Sequence, residues 1–238
     1  MLIKICGLTS VHDARIAVEA GADFLGIVMA CSSPRRATQE NARAILEAGF
    51  RQRIYLVFGY DDADYIRETF TALATSTTAL QIMADHPQID ELLKLAPTTR
   101  IMPSISAAEK VTAAQIARWE QHPLVLFDSH RTSPHPPGPP PLSTLWRGGG
   151  GAEGGGGGEA GGTGKTFDPA NIAGIRRPYL YAGGLNPDNV ASIVTQVNPP
   201  GVDVASGTEA SPGVKDTSKV RKFIQNARKA AQMIQVQQ

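Results

Sequence analysis

Two cysteines in 238 residues, Cys6 and Cys31, are too few for a disulfide framework, and neither has a metal-ligand spacing. Histidine is equally sparse. His12, His86, His122, His130 and His135 share no spacing that suggests a metal site and read as surface or loop residues. An excess of one charge is also missing: 23 Lys and Arg against 22 Asp and Glu leave a formal +1. That balance argues against nucleic acid or an anionic membrane surface as a partner. No apolar run approaches the ~20 residues that a membrane-spanning helix needs. Met1-Leu2-Ile3-Lys4 leads straight into a strand-like run, so no signal or transit peptide is expected. These absences predict a reduced, cytoplasmic protein without a metal.

What is present is rhythm. A β-branched run from Leu2 ends on Cys6 and Gly7, and Ser10 can cap a helix that closes at Gly21. The nearly continuous apolar run 23–29 is the mark of a strand buried on both faces. Further strands are expected at 54–58, 79–83, 100–105, 123–127, 179–182 and 202–205, the fifth weakened by Pro103. Helices are expected at about 38–48, 61–73, 87–95, 112–120, 187–197 and 216–234, with a short one from Asp168. Strict alternation of strand and helix implies a parallel sheet with right-handed crossovers. Eight such units in a chain of this length predict an α/β fold of the TIM (β/α)8 barrel type, a single domain over 1–238. An open doubly wound sheet is the alternative, but the first strand lacks its glycine fingerprint.

The rhythm breaks at about 131–160. Six prolines (Pro134, Pro136, Pro137, Pro139, Pro140, Pro141) precede glycine runs at 148–151 and 154–158. Such composition cannot bury a core, and the segment reads as a low-complexity, disordered insertion after strand six. Stretching a loop fourfold adds only ~1 kcal/mol of closure entropy, so the fold tolerates it. The following Gly161-Gly162-Thr163-Gly164-Lys165-Thr166 invites a nucleotide-binding reading. A phosphate-binding P-loop, however, needs glycine five positions before Gly164, where Glu159 stands, and needs a preceding strand.

Ligands of a parallel α/β barrel gather at the carboxyl ends of its strands. There the sequence puts Cys6 after strand one, Arg35 in the loop after strand two, Asp128 after strand six and Asp203 within strand eight. A lone cysteine is usually a small buried hydrophobe, and an aspartate after an apolar strand often just caps a turn. Yet Cys6 and Asp128 facing each other across a barrel mouth would suit proton-transfer chemistry. Gly183-Gly184 and Ser206-Gly207 end adjacent strands. They either permit tight turns or expose backbone N–H groups to a phosphate, as the loops after strands seven and eight often do. Arg176-Arg177 and the basic C-terminal segment (Lys215, Lys219, Arg221, Lys222, Arg228, Lys229) read as solvated faces.

Read together, these motifs resemble a family. Lys4-Ile5-Cys6-Gly7-Leu8-Thr9, Gly21-Ala22-Asp23, Ser33-Pro34-Arg35 and the GGTGKTFD run from Gly161 to Asp168 come first. Ala182-Gly183-Gly184-Leu185-Asn186-Pro187, Gly201-Val202-Asp203-Val204, Ser206-Gly207-Thr208-Glu209 and Pro212-Gly213-Val214-Lys215-Asp216 complete the ordered set. The set is similar to that of the phosphoribosylanthranilate isomerases of tryptophan biosynthesis. The resemblance implies a TIM barrel and an Amadori rearrangement of a small phosphorylated substrate, with no cofactor and no metal, in a monomer or homodimer. It implies Cys6 as general base, Asp128 as general acid, Arg35 on the anthranilate carboxylate and Asp203 as a substrate-positioning group. Gly183, Gly184, Ser206 and Gly207 would take the phosphate through the backbone. A thiol with an ordinary pKa of about 8.5 would need lowering, and a carboxyl of about 3.9 raising, to serve these roles near neutrality.

Three departures accompany the resemblance. Gln81-Ile82-Met83-Ala84 stands where the family usually reads Gln-Leu-His-Gly, Ala30-Cys31-Ser32 lacks the family's usual aromatic, and the insertion lies beside Asp128. The alternatives are a related barrel isomerase acting on another phosphorylated sugar amine, and an inactive barrel used as an interaction module through the insertion.

Overall fold

The computed structural model describes residues 1–129 and 166–236; the insertion at 131–160 and the first five residues of the GGTGKTFD run lie outside the described residues. Eight parallel strands close into a barrel in sequence order: β1 (Leu2–Ile5), β2 (Phe24–Val28), β3 (Arg53–Val57), β4 (Ala79–Met83), β5 (Ile101–Ser106), β6 (Val125–Asp128), β7 (Tyr179–Tyr181) and β8 (Gly201–Val204). The eight strands expected from the alternation are all present. β8 returns beside β1 with Lys4 opposite Asp203, so residues 199 positions apart become neighbours.

Around the barrel run α1 (Val11–Ala20), α2 (Gln39–Glu47), α3 (Ala63–Leu73), α4 (Ile89–Leu92), α5 (Ala113–Ala117), α6 (Val190–Val197) and α7 (Thr217–Val236). Their ends follow side-chain chemistry. Ser10 caps α1 by accepting from the Asp13 N–H, and Gly21 takes the left-handed conformation (φ 99°) that ends it. Thr112 and Gln115 form a reciprocal capping box on α5.

Several boundaries differ from expectation. The helix expected at 112–120 is one short turn, that at 87–95 passes into a 3-10 turn at Leu93–Leu95, and the short one from Asp168 is a 3-10 turn at Pro169–Ile172. Pro103 does not weaken β5, which at six residues is the longest of the eight. The register holds on both sides of it, with Gln81 opposite Met102 and Met83 opposite Ser104.

Strand alternation sorts the core. On β1, Ile3 and Ile5 point outward to a layer shared with Ala14, Ala17 and Phe223 of the helices. Leu2 belongs instead to an interior layer with Tyr55, Met102, Leu126 and Leu180, which closes the lower barrel. Cys6 packs above it with Val28 and Ala30.

Two residue classes are corrected by the structure. His86 and His122 lie in loops, as expected, but they are not surface residues, being 4% and 5% exposed. The His86 ring bridges the Asp61 carbonyl through Nε2 and the Gln88 N–H through Nδ1, so Nε2 donates and Nδ1 accepts. Arg177 is not a solvated charge either: its guanidinium donates to the carbonyls of Trp119 and His122. Among the described residues no helix is long and apolar enough to cross a membrane, and no group of three or more His, Cys, Asp or Glu could hold a metal.

Candidate active site

The carboxyl ends of the strands bring Cys6, Arg35, Asp128, Asp203, Gly183, Gly184, Ser206 and Gly207 to one rim. Cys6 follows β1 and is 5% exposed. Two glycines make its place. A Cβ on Gly26 of β2 would lie 2.6 Å from the Cys6 sulfur and 3.0 Å from Lys4 Nζ, so only glycine lets both side chains cross that strand. Gly7 turns the chain at φ 76°, and a Cβ there would sit 3.2 Å from both Arg35 Cδ and Glu209 Oε1. The arginine and the glutamate can therefore pack directly behind the thiol.

Arg35 is held rather than loose. Its Nε donates to both carboxylate oxygens of Glu209 at 3.0 and 2.9 Å, and its side chain is 12% exposed. Glu209 also takes Lys215 Nζ at 3.2 Å, and Lys215 Nζ donates to the Ala205 carbonyl at 2.9 Å. Lys215 thus belongs to the rim and not to a solvated helical face. It lies on a small hairpin of β9 (Glu209–Ser211) and β10 (Val214–Lys215), tied to the loop after β1 by Thr9 Oγ1 donating to the Gly213 carbonyl.

Below this network lies a second ion pair. Lys4, fully buried, donates from Nζ to Asp203 Oδ1 at 2.8 Å. Breaking such a pair from one side strands a charge in the core, at a cost of about 3–5 kcal/mol. Burial opposes the Lys4 charge, but the Asp203 carboxylate and then Cys6 outweigh it and hold the ammonium above its ordinary pKa. Burial pushes the Cys6 thiol up, while Lys4 and Lys215 pull it down and Asp203 pushes it further up. The lowering that a thiol base needs is therefore present as a force but is outweighed by burial. Burial likewise brings Lys215 below its ordinary value against the pull of Glu209.

Asp128 ends β6, with Ser129 Oγ donating to its Oδ1 at 3.4 Å. A Cβ on Gly183, which has φ 86°, would lie 2.8 Å from the same oxygen, so the loop after β7 presses on the carboxylate. Asp203 pairs with Lys4, and its strand β8 lies beside β1 and is separated from β6 by β7 alone in the barrel order, so it stands between the thiol side and the acid side of the rim. The glycine turns also meet. A Cβ on Gly207 would fall 2.8 Å from Asn186 Cα and closer still to the Leu185 carbonyl oxygen. The Gly184–Asn186 turn is itself pinned: Asn189 Nδ2 donates to the Gly184 carbonyl at 2.9 Å, and the Asn186 N–H donates to Asn189 Oδ1 at 2.8 Å. The 3-10 turn Ser206–Thr208 therefore stacks on a rigid neighbour.

Three residues here were missed as site members. Lys4 was recoverable, since positions i and i+2 of a strand share a face and Cys6 is two residues on. Glu209 carried no local signal, because its partner Arg35 lies 174 positions before it, and Lys215 enters the rim only through Glu209 and the Ala205 carbonyl. Met83 ends β4 nearly buried, and Gln81 beside it keeps a buried Oε1 without a partner. A cavity of about 820 Å³ lies elsewhere, between α5 and residues 173–178 outside the barrel, away from the rim.

The fold is that of the (β/α)8 barrels, with the candidate groups gathered at the carboxyl ends of the strands. Residues 3–226 match the family model described as N-(5'phosphoribosyl)anthranilate (PRA) isomerase, and the chain belongs to that family. The N-(5'-phosphoribosyl)anthranilate isomerase of Xanthomonas euvesicatoria pv. vesicatoria is 33% identical over 237 residues, covering 96% of this chain and 93% of the relative. The phosphoribosyl anthranilate isomerase of Thermotoga maritima superposes with a TM-score of 0.71 at 29% identity, covering 96% of this chain and 99% of that one. A further solved isomerase, in complex with reduced 1-(o-carboxyphenylamino)-1-deoxyribulose 5-phosphate, gives a TM-score of 0.67 at 27% identity over 96% of this chain and 100% of that one.

Proposed function

We propose that the chain isomerises N-(5'-phosphoribosyl)anthranilate to 1-(2-carboxyphenylamino)-1-deoxyribulose 5-phosphate in tryptophan biosynthesis, with Asp128 as general acid and Cys6 as general base. The observation that carries the reading is the thiol and the carboxyl at the ends of β1 and β6, with β8 and its Asp203 between those strands in the barrel order, in a chain of this family. The acid protonates the ribose ring oxygen, and the ring opens to a Schiff base. The base takes the proton from the second sugar carbon, and the resulting enolamine tautomerises to the ketone. Atoms and charge balance without an external oxidant or co-reactant.

Arg35 receives the anthranilate carboxylate, with Glu209 holding its guanidinium near Gly7. Asp203 positions the sugar from its place between base and acid. Gly183, Gly184, Ser206 and Gly207 present backbone to the phosphate. The purified protein should convert phosphoribosylanthranilate and should restore growth without tryptophan to a strain lacking this isomerase. Faster turnover of another phosphorylated sugar amine would move the assignment to that substrate.

The phosphate site gives a separate prediction. Gly207→Ala should raise KM for the phosphorylated substrate about tenfold or more, equivalent to ~1.4 kcal/mol of binding. The added methyl must push the Ser206–Thr208 turn off the Leu185-Asn186 backbone. The same variant should weaken competitive inhibition by inorganic phosphate to a similar degree, as steady-state kinetics with added phosphate would show.

A further inference from the structure

We propose that Lys4 is a positioning residue for the reaction: oriented on the barrel floor by Asp203, its ammonium stabilises the Cys6 thiolate and sets the pH at which the base works. The proposal rests on Cys6 being the base. Its ground is geometric. Lys4 and Cys6 lie on the inward face of one strand end, and their terminal atoms meet over Gly26, within 3.0 and 2.6 Å of the point where a Cβ would stand. Lys4 has no exposed surface, so water does not screen its charge from the thiol. A lysine sealed into a barrel is expensive, and Asp203 at 2.8 Å offsets that cost while leaving the ammonium two further N–H donors.

The other groups around the thiol do not replace it. Val28, Ala30 and Ala205 pack against Cys6 as apolar neighbours. Asp203, from β8, works against the thiolate, and Asp128 stands beyond it. Lys215, from the β9–β10 hairpin, contributes a second positive field, but its Nζ is committed to Glu209 and the Ala205 carbonyl. Arg35 and Glu209 pair with each other behind Gly7. Lys4 is the cation that stands on the thiol's own strand and face, and its charge is secured by a partner other than the thiol. Nearby cations are the usual means by which a protein thiol becomes a base.

The test separates this role from a structural one. In a Cys31→Ser background Cys6 is the sole thiol, and its alkylation by iodoacetamide is followed from about pH 6 to pH 10.5. Lys4→Met should move the midpoint of that profile up by about one pH unit or more and slow alkylation near neutrality about tenfold. The pH profile of kcat/KM should move by the same amount, with activity recovering at high pH. A folded Lys4→Met protein whose alkylation midpoint stays put overturns the proposal, even if activity is lost.

Should Lys4→Met not fold, the unaltered chain carries the test. By linkage, the Lys4 Cε resonance should shift over the pH range in which Cys6 titrates, and that shift should vanish in Cys6→Ser. A flat Lys4 resonance across that range overturns the proposal. Full activity of Cys6→Ala would remove the base assignment instead, and the alkylation profiles would be unaffected by that outcome.

Discussion

Cys6→Ala is expected to lower kcat by roughly 10³-fold or more while leaving the barrel folded. A positioned general base contributes about 10²–10⁴ in rate, and the alanine variant retains no group on β1 that could take a carbon-bound proton. Lys4 cannot substitute, since the Asp203 carboxylate, against the opposing effect of burial, holds it as an ammonium. The structural cost is small. The sulfur packs against Val28 and Ala30, and its removal deletes about one methylene's worth of apolar contact, ~1 kcal/mol. Near-unchanged thermal unfolding with abolished turnover is the result that assigns Cys6 to chemistry. Turnover at the unaltered rate would return Cys6 to the role of a buried hydrophobe.

The same residue fixes the direction of the pH dependence. A thiol base is active when deprotonated, and burial holds this one above its ordinary value. The base limb of kcat/KM should therefore still be climbing above pH 8.5, the usual range of a free cysteine. A limb complete by pH 7 would mean that some other group carries the proton.

The barrel itself was legible because its evidence is local and repeated. Each strand is a short apolar run and most helices open on a side chain able to cap, as at Ser10 and Thr38, so the eight-unit count survives errors at individual ends. The lengths of the weaker helices were not legible. Residues 112–120 have an N-terminal capping box but expose most of their faces, so little packing extends the helix beyond Ala117.

At the site, the positions at strand ends could be read from the chain, whereas their partners could not. Lys4–Asp203 exists because β8 closes on β1, and Arg35–Glu209–Lys215 exists because a hairpin folds back over the loop after β2. The burial of the loop histidines His86 and His122 was not legible for a related reason: a polar ring reads as exposed until packing supplies its partners, as Asp61 and Gln88 do for His86. The five residues before Thr166, three of them glycine, invited a nucleotide reading that Glu159 already excluded on spacing alone.

Asp128→Asn is expected to cost about 10²–10⁴ in kcat, and an isotope effect distinguishes its role from that of Cys6. Asparagine preserves the volume at the end of β6 and can accept from Ser129 as the carboxylate does, so the loop after β7 keeps its place against it. What it loses is a transferable proton, and the ring oxygen must then leave unassisted. Ring opening becomes the slow step. With deuterium on the second sugar carbon, the asparagine variant should show an isotope effect near unity, because the labelled bond breaks after the slow step. Cys6→Ala should show a large primary effect, because there the labelled bond breaks in the slow step itself. Reversed effects would exchange the two roles, and equal large effects would place Asp128 in the carbon-proton transfer as well. The pair of variants therefore orders the two proton transfers, which neither loss of activity does alone.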